Sequence, residues 1–429
     1  MISVNEARER ILSHFQPAAI ESLALIACAN RVLAVDITAA HDLPLFDNSA
    51  MDGFAVCADD TSASGTTLRH AEPRSVSNRQ ATTLQQAQGI TLSVVADIPA
   101  GSAPTVTLAK GEAARIMTGA QLPAGANAVI PVEDTDFNNR EAGIPAPKTI
   151  SFAKIVKTGD NVRRRGMDIQ AGAVILSKGR TLKPQDLGLL AMLGIGNVQV
   201  YKKPRVGLLS SGDELLDVDA PLESGKIRDS NSYTLAALIE SAGAEVLRLG
   251  VAQDARESVE ALLQKAVHED ADFILSSAGV SVGSFDFIKT VIESKGRLDF
   301  WRVNMRPGKP LAFGEYLDKP VIGLPGNPVS AFVGFEIFVR PVLGRLSGKL
   351  DGSRRTVYVR SEKEIESDGR ESYLRAKIRE ENGVLTAGLT TSHQGSGNLL
   401  SLVQADALLI IPAGVKCVPA GQEVEAYLL

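Results

Sequence analysis

Between about residues 181 and 348 the chain alternates short apolar runs with stretches of helical period, and no other feature constrains the fold as much. Runs at 206–209, 245–251, 272–275, 311–313 and 321–324 read as strands; 233–241, 254–269, 287–294 and a stretch from Pro328 read as helices. Such alternation predicts right-handed crossovers and a mostly parallel sheet. The loops after parallel strands gather along one edge, and ligands bind in the crevice there. Three of these loops carry glycine: Ser211-Gly212-Asp213-Glu214, Gly279-Val280-Ser281-Val282-Gly283 running on to Asp286, and Leu324-Pro325-Gly326-Asn327-Pro328. Small residues let backbone N–H groups approach an anion, while carboxylates beside them hold a cation against it. The site so outlined takes a phosphorylated ligand.

A chain of 429 residues exceeds one ordinary core and implies two to four domains. A net charge of −5 lacks the basic field that general nucleic-acid binding needs. The sequence has no apolar span of about 20 residues and no secretory signal pattern, so neither a membrane span nor export is expected. Cys28, Cys57 and Cys417 are widely spaced and odd in number, which suits a reducing cytoplasm rather than a disulfide framework.

Ser3 and Glu6 have capping-box spacing ahead of Ala7, Ile11, Leu12 and Phe15 on one helical face. A strand is expected at 31–37, and residues 46–149 read as a β-rich module. Within that module, 65–89 is expected to be a surface excursion or poorly ordered. Extended structure resumes over 150–180 around the basic run Arg163-Arg164-Arg165. The last 80 or so residues show short strands and no helix, which predicts a small β barrel or sandwich.

Each constellation has a structural reading beside the functional one. Asn327 and Pro328 suit the N-cap and first position of a helix, whose free N–H groups would attract an anion; a plain strand–helix turn needs the same residues. Asp254 with Glu257 makes a second capping-box pattern, yet it follows a strand at the same edge as Glu214 and Asp286. Carboxylates beside a phosphate require a cation, and oxygen ligands favour Mg²⁺, so Asp254 and Asp286 are candidate metal ligands. Arg306-Pro307-Gly308-Lys309-Pro310 fixes two cations on a stiff loop, and 47–53 is either an Asp-Gly turn or a functional loop. There is no Walker phosphate loop, and Gly194-Ile195-Gly196 lacks the third glycine and the following helix of a dinucleotide fingerprint. Gly279 to Gly283 fits a nucleophile-elbow pattern but has no plausible histidine partner.

In these motifs the chain resembles the molybdopterin molybdotransferases, the MoeA-type molybdenum insertases related to the gephyrin E domain. The resemblance rests on Phe46-Asp47-Asn48-Ser49-Ala50-Met51-Asp52-Gly53-Phe54-Ala55, Arg115-Ile116-Met117-Thr118-Gly119-Ala120 and Arg163-Arg164-Arg165-Gly166-Met167-Asp168. It continues in the same order through Ser211 to Leu215, the turn ending at Asp286, Arg306 to Pro310, Leu324 to Ser330, and Ser396-Gly397. It implies a multidomain α/β plus β protein: a discontinuous linking domain of 1–45 and 150–180, the module 46–149, an α/β molybdopterin-binding domain 181–348 and a C-terminal β barrel 349–429. It also implies an elongated homodimer in the cytoplasm that inserts molybdate into adenylylated molybdopterin with release of AMP, aided by Mg²⁺.

Under that resemblance Arg306, Lys309, Ser330, Arg375 and Ser396 bind molybdate, a tetrahedral dianion that needs positive charge and hydrogen-bond donors. Ser211, Gly279, Ser281, Gly283, Pro325, Gly326, Asn327 and Pro328 bind the pterin nucleotide. Glu214 and Asp286 act catalytically, joined by Asp52, Thr118 and Asp168 from a partner subunit. Ala278 replaces the glycine usual in the family before Gly279. A molybdopterin adenylyltransferase sharing the central domain would not need the β module or the barrel, although such an enzyme is a natural partner. A gephyrin-like scaffold is the other alternative, and the filled catalytic positions count against it.

Overall fold

Half of the capping pattern at the start of the chain forms, the Glu6 carboxylate pairing with Arg10 instead of the Ser3 amide. Ser3 Oγ accepts the Glu6 amide at 3.1 Å and opens the helix Val4–Ser13, which buries Val4, Ala7 and Ile11. The computed structural model describes residues 1–62, 89–137, 144–277, 287–350 and 352–429. They form two compact units, Asp36–Leu176 and the pair of segments Met1–Val35 and Ser177–Leu429. The 65–89 excursion falls outside the described residues except for Gly89.

In the unit Asp36–Leu176, Gly53–Val56 lies between Ala128–Pro131 and Glu112–Ile116, antiparallel to both. Ile90–Ile98 runs parallel to Glu112–Ile116, and Thr149–Phe152 adds antiparallel at the edge. Alternate residues pack on opposite faces, Phe54, Leu92, Ile130 and Ile150 on one and Ala55, Ile98, Ile116 and Val129 on the other. Because Thr149–Phe152 belongs to this sheet, the expected boundary at 149 and 150 falls inside a strand.

The other unit is built on a six-stranded sheet. Its elements in chain order are β1 Arg205–Ser211, α1 Ser230–Ser241, β2 Glu245–Ala252, α2 Arg256–His268, β3 Phe273–Ser277, α3 Phe287–Lys295, β4 Gly296–Arg302, β5 Pro310–Tyr316, β6 Lys319–Leu324 and α4 Pro328–Gly334. The strands lie in the order β2-β1-β3-β6-β5-β4, the first four parallel, β5 antiparallel to β6, and β4 antiparallel to β5. Helices cover both faces, so β1 alternates between two cores: Val206 and Leu208 join Leu235, Phe273 and Ile322, while Leu209 joins Leu263, Ile274 and Val321. Gly207 suits this close packing: a Cβ there would lie 3.1 Å from Ala266 of α2 and 3.3 Å from Leu249, tighter than ordinary contact.

Five strands of the tail close into a barrel: Glu371–Glu381 pairs with Val384–Leu389, then Thr356–Ser361, Glu423–Leu428 and Ala407–Ile411, which returns to Glu371–Glu381. Closure leaves no open edge to be covered.

Several expectations need correction. The run at 31–37 makes only isolated bridges, Val32 to Thr181 and Leu33 to Val200, before the two-residue strand Ile37–Thr38. Helix α2 starts at Arg256 after an N-cap at Ala255, and no side chain caps it; the Asp254 capping box does not form. Helix α1 starts three residues earlier than its apolar pattern suggested, because Asp229 caps it through the Ser232 amide at 3.0 Å. The tail contains the short helix Leu399–Val403, capped by Asn398. Pro184–Met192 is also helical, and Asn197–Tyr201 pairs with Ile20–Ala24, so the α/β sheet itself begins at Arg205.

Candidate active site

Strand register places the glycine turns. Ser210 of β1 pairs with Ser277 of β3, and Ser277 pairs with Leu324 of β6, so three adjacent parallel strands end in one row. Strand β5 runs the other way, with Ala312 opposite Gly323, so the loop 303–309 leading into it emerges at the same edge. Together they border a cleft of about 560 Å³.

Glu214, Arg306, Lys309, Pro325, Gly326, Asn327, Pro328, Ser330 and Ser396, all expected from the sequence, line this cleft. Gly279, Ser281, Gly283 and Asp286, with Ala278 before them, lie outside the described residues. Ser211 is buried at the end of β1 and does not reach the lining. Asp254 is exposed after the edge strand β2, where its amide donates to Asp213 Oδ1 at 3.0 Å, and it too is absent from the lining.

The lining carries four cationic side chains, Arg228, Arg306, Lys309 and Arg370, against the carboxylates of Glu214 and Asp229. Asp229 is committed to helix α1, accepting the Ser232 amide at 3.0 Å and its hydroxyl at 2.5 Å. The Glu214 carbonyl accepts the Ile227 amide at 2.8 Å, but its carboxylate has no hydrogen-bond partner among the described residues, and it folds over Gly212: a Cβ at Gly212 would stand 2.5 Å from Glu214 Oε2. Gly212 has φ +147, which L side chains rarely adopt. Asp368 sits behind the cations, its Oδ2 at 2.5 Å from Arg370 Nη2 and 3.8 Å from Arg306 Nη1. The hydrogen bond from Arg370 and the charge of Arg306 hold its carboxyl below the usual aspartate range.

The barrel delivers Ser396. The Val329 amide, in the first turn of α4, donates to the Ser396 carbonyl at 3.0 Å. That N–H is therefore unavailable to a ligand, and Asn327 caps α4 by position only, without a side-chain hydrogen bond. Arg375 does not line the cleft. It is fully buried, and its guanidinium donates to Ser401 Oγ at 3.1 Å, the Gln394 carbonyl at 3.4 Å and the Gly395 carbonyl at 2.9 Å. Burial and the nearby charge of Arg306 lower its pKa from the ordinary arginine value. Arg375 thus fixes the loop that presents Gln394 and Ser396, and adds positive field from behind.

Asn231, Arg228, Arg370 and Gln394 were not read from the sequence as cleft residues. Asn231 had a usable signal: it falls within Asp229-Ser230-Asn231-Ser232, a run of capping residues directly ahead of the apolar face of α1.

The unit Asp36–Leu176 arranges its own predicted residues. Asp52 Oδ1 accepts both the amide and the hydroxyl of Thr118 at 2.7 Å. Arg163 pairs with Asp168, Arg164 with Asp47 at 2.8 Å, and Arg165 with Asp42 at 2.6 Å. The basic run is thus matched cation by cation with carboxylates.

No three His, Cys, Asp or Glu side chains converge as metal ligands among the described residues. The donor chemistry still suits Mg²⁺ at Glu214, an unpartnered carboxylate in a cationic cleft; this ion takes one or two carboxylates together with ligand phosphate and water. No helix among the described residues is long and apolar enough to cross a membrane.

Fold and cleft define an α/β domain with a cationic cleft at the carboxyl ends of its parallel strands. Family models match three consecutive stretches: the MoeA N-terminal region (domain I and II) over residues 2–194, a probable molybdopterin binding domain over 207–345 and the MoeA C-terminal region (domain IV) over 358–429. The molybdopterin molybdenumtransferase of Nostoc sp. is 37% identical over 94% of this chain and 87% of its own length. That of Bacillus subtilis is 34% identical over 100% of this chain and 94% of its own. A molybdopterin biosynthesis MoeA protein from Pyrococcus horikoshii superposes with a TM-score of 0.79 at 30% identity, over 100% of both chains. The chain belongs to the molybdopterin molybdenumtransferase family of enzymes.

Proposed function

We propose that this protein inserts molybdate into adenylylated molybdopterin and releases AMP. The observation that carries the reading is the cleft itself, where Arg306, Lys309 and Arg370 converge with the glycine turn at Gly326 at the ends of parallel strands. The cations neutralise the entering dianion, and the hydroxyls of Ser330 and Ser396 supply donors for its oxygens. Arg375 holds the loop carrying Ser396 in place. The phosphoanhydride lies along the glycine turns; attack by water, or by a molybdate oxygen whose new phosphate ester water then cleaves, breaks the P–O–P bond and yields AMP and the pterin phosphate. Mg²⁺, when bound, offsets the phosphate charge; Glu214, with Asp286 by its sequence position, would hold it.

A cytoplasmic homodimer, supplied by a molybdopterin adenylyltransferase, belongs to the same proposal. An adenylyltransferase reading leaves Ser396 and the Arg375 loop without a task. Purified protein given adenylylated molybdopterin, Mg²⁺ and molybdate is expected to release AMP in step with molybdenum bound to the pterin. AMP release without molybdenum uptake, or no release, overturns the reading.

A further inference from the structure

We propose that Asp368 is a resident counter-ion of the cleft, one that neutralises Arg306 and Arg370 until an entering oxyanion takes its place. The inference rests on the cleft's being an oxyanion site. Asp368 Oδ2 lies within ion-pair distance of both arginines, at 2.5 Å from Arg370 Nη2 and 3.8 Å from Arg306 Nη1. Both arginines line the cleft, whereas Asp368 lies behind them on the wall of a second cavity of about 730 Å³. An oxyanion approaching from the cleft therefore meets arginines whose charge is already partly spent.

Two features distinguish a displaceable counter-ion from a structural anchor. Arg370 has an independent hold, because its Nη1 donates to the Met305 carbonyl at 3.2 Å. Asp368 Oδ1 accepts the Arg370 amide and Oδ2 accepts Nε, both at 3.1 Å, yet the side chain is 38% exposed, so water can take up these hydrogen bonds when an oxyanion claims the guanidinium. The second cavity carries Glu362, Glu364 and Glu366 against Lys363 and Arg306, with Glu362 also paired to Arg379 at 3.3 Å, so with Asp368 its lining stays acidic and favours oxyanion entry from the cleft. By contrast Lys309 makes no ion pair among the described residues, and it provides the first unopposed charge. The arrangement sets the oxyanion affinity below the level four free cations would give, so that binding stays reversible until the pterin nucleotide is present.

The test is isothermal titration of the full chain with molybdate, and with sulfate as an inert tetrahedral dianion, for the wild type and for Asp368→Asn and Asp368→Ser. Both variants are expected to bind either anion about three- to tenfold more tightly than the wild type, with a steeper loss of affinity as salt rises. Unchanged or weaker binding by both variants, with the wild type binding normally, overturns the counter-ion role and leaves the oxyanion cleft standing. Failure of wild type and variants alike to bind either anion overturns both. Circular dichroism and melting temperature matching the wild type certify that each variant is folded.

Discussion

Asn231 Nδ2 donates to the Gly326 carbonyl at 2.7 Å and to Ser277 Oγ at 2.8 Å, tying the first turn of helix α1 to the ends of strands β3 and β6. One buried amide thus ties together the strand ends that border the cleft. Asn231→Ala would leave the carbonyl and the hydroxyl without this donor in a buried setting, at a cost of about 1–3 kcal/mol. Thermal denaturation is expected to show that loss, and AMP titrated into the variant should bind about tenfold more weakly.

Arg375 acts through the loop it holds. Lysine has no planar fork of donors and cannot serve Gln394, Gly395 and Ser401 together. Arg375→Lys is expected to raise the Kd for molybdate about tenfold or more, although the residue touches no cleft surface. Calorimetric titration checks this, and an unaltered Kd would assign Arg375 to barrel stability alone.

Glu336 is a buried carboxylate clamped by Arg340 at 2.5 Å and Arg354 at 2.9 Å. Burial by itself raises its pKa, but the hydrogen bonds from Arg340 and Arg354 outweigh it and the net shift is downward. A folded pKa below the unfolded one makes the contribution complete above about pH 4.3 and lost as pH falls through the lower folded value. Glu336→Gln should lower stability at neutral pH by about 3–5 kcal/mol and flatten the acid limb of the melting-temperature profile. A profile as steep as that of the wild type would contradict it.

Much of this architecture was legible because it rests on local pattern. The apolar runs of β1, β3 and β6 and the glycines after them fix parallel strands with their loops on one edge, and register then does the rest. What stayed hidden depends on residues far apart in the chain. Arg164 and Arg165 stood out only as part of a local basic run, because their partners Asp47 and Asp42 lie more than a hundred positions away. Asp254 showed capping spacing with Glu257, yet the Asp213 carboxylate takes its amide, and the Ser258 hydroxyl takes that of Gln253. Arg375 gave no sign of complete burial, because a strand residue's depth is set by barrel closure.

Glu214 is the described cleft carboxylate left without a partner. Mg²⁺ is expected to tighten AMP binding to the wild type, and Glu214→Gln should remove about tenfold of that gain while leaving affinity without the ion nearly unchanged. Titration of AMP with and without MgCl₂ separates the two effects. An equal gain in the variant would exclude Glu214 as a ligand.

The central claim is that oxyanion and pterin nucleotide meet in one cleft, and single-turnover AMP release from adenylylated molybdopterin at varied molybdate tests it most directly. In Arg306→Ala the half-saturating molybdate concentration should rise about tenfold, while the limiting rate stays within a few-fold of the wild type. A molybdate dependence identical to that of the wild type would place the oxyanion elsewhere and contradict the account.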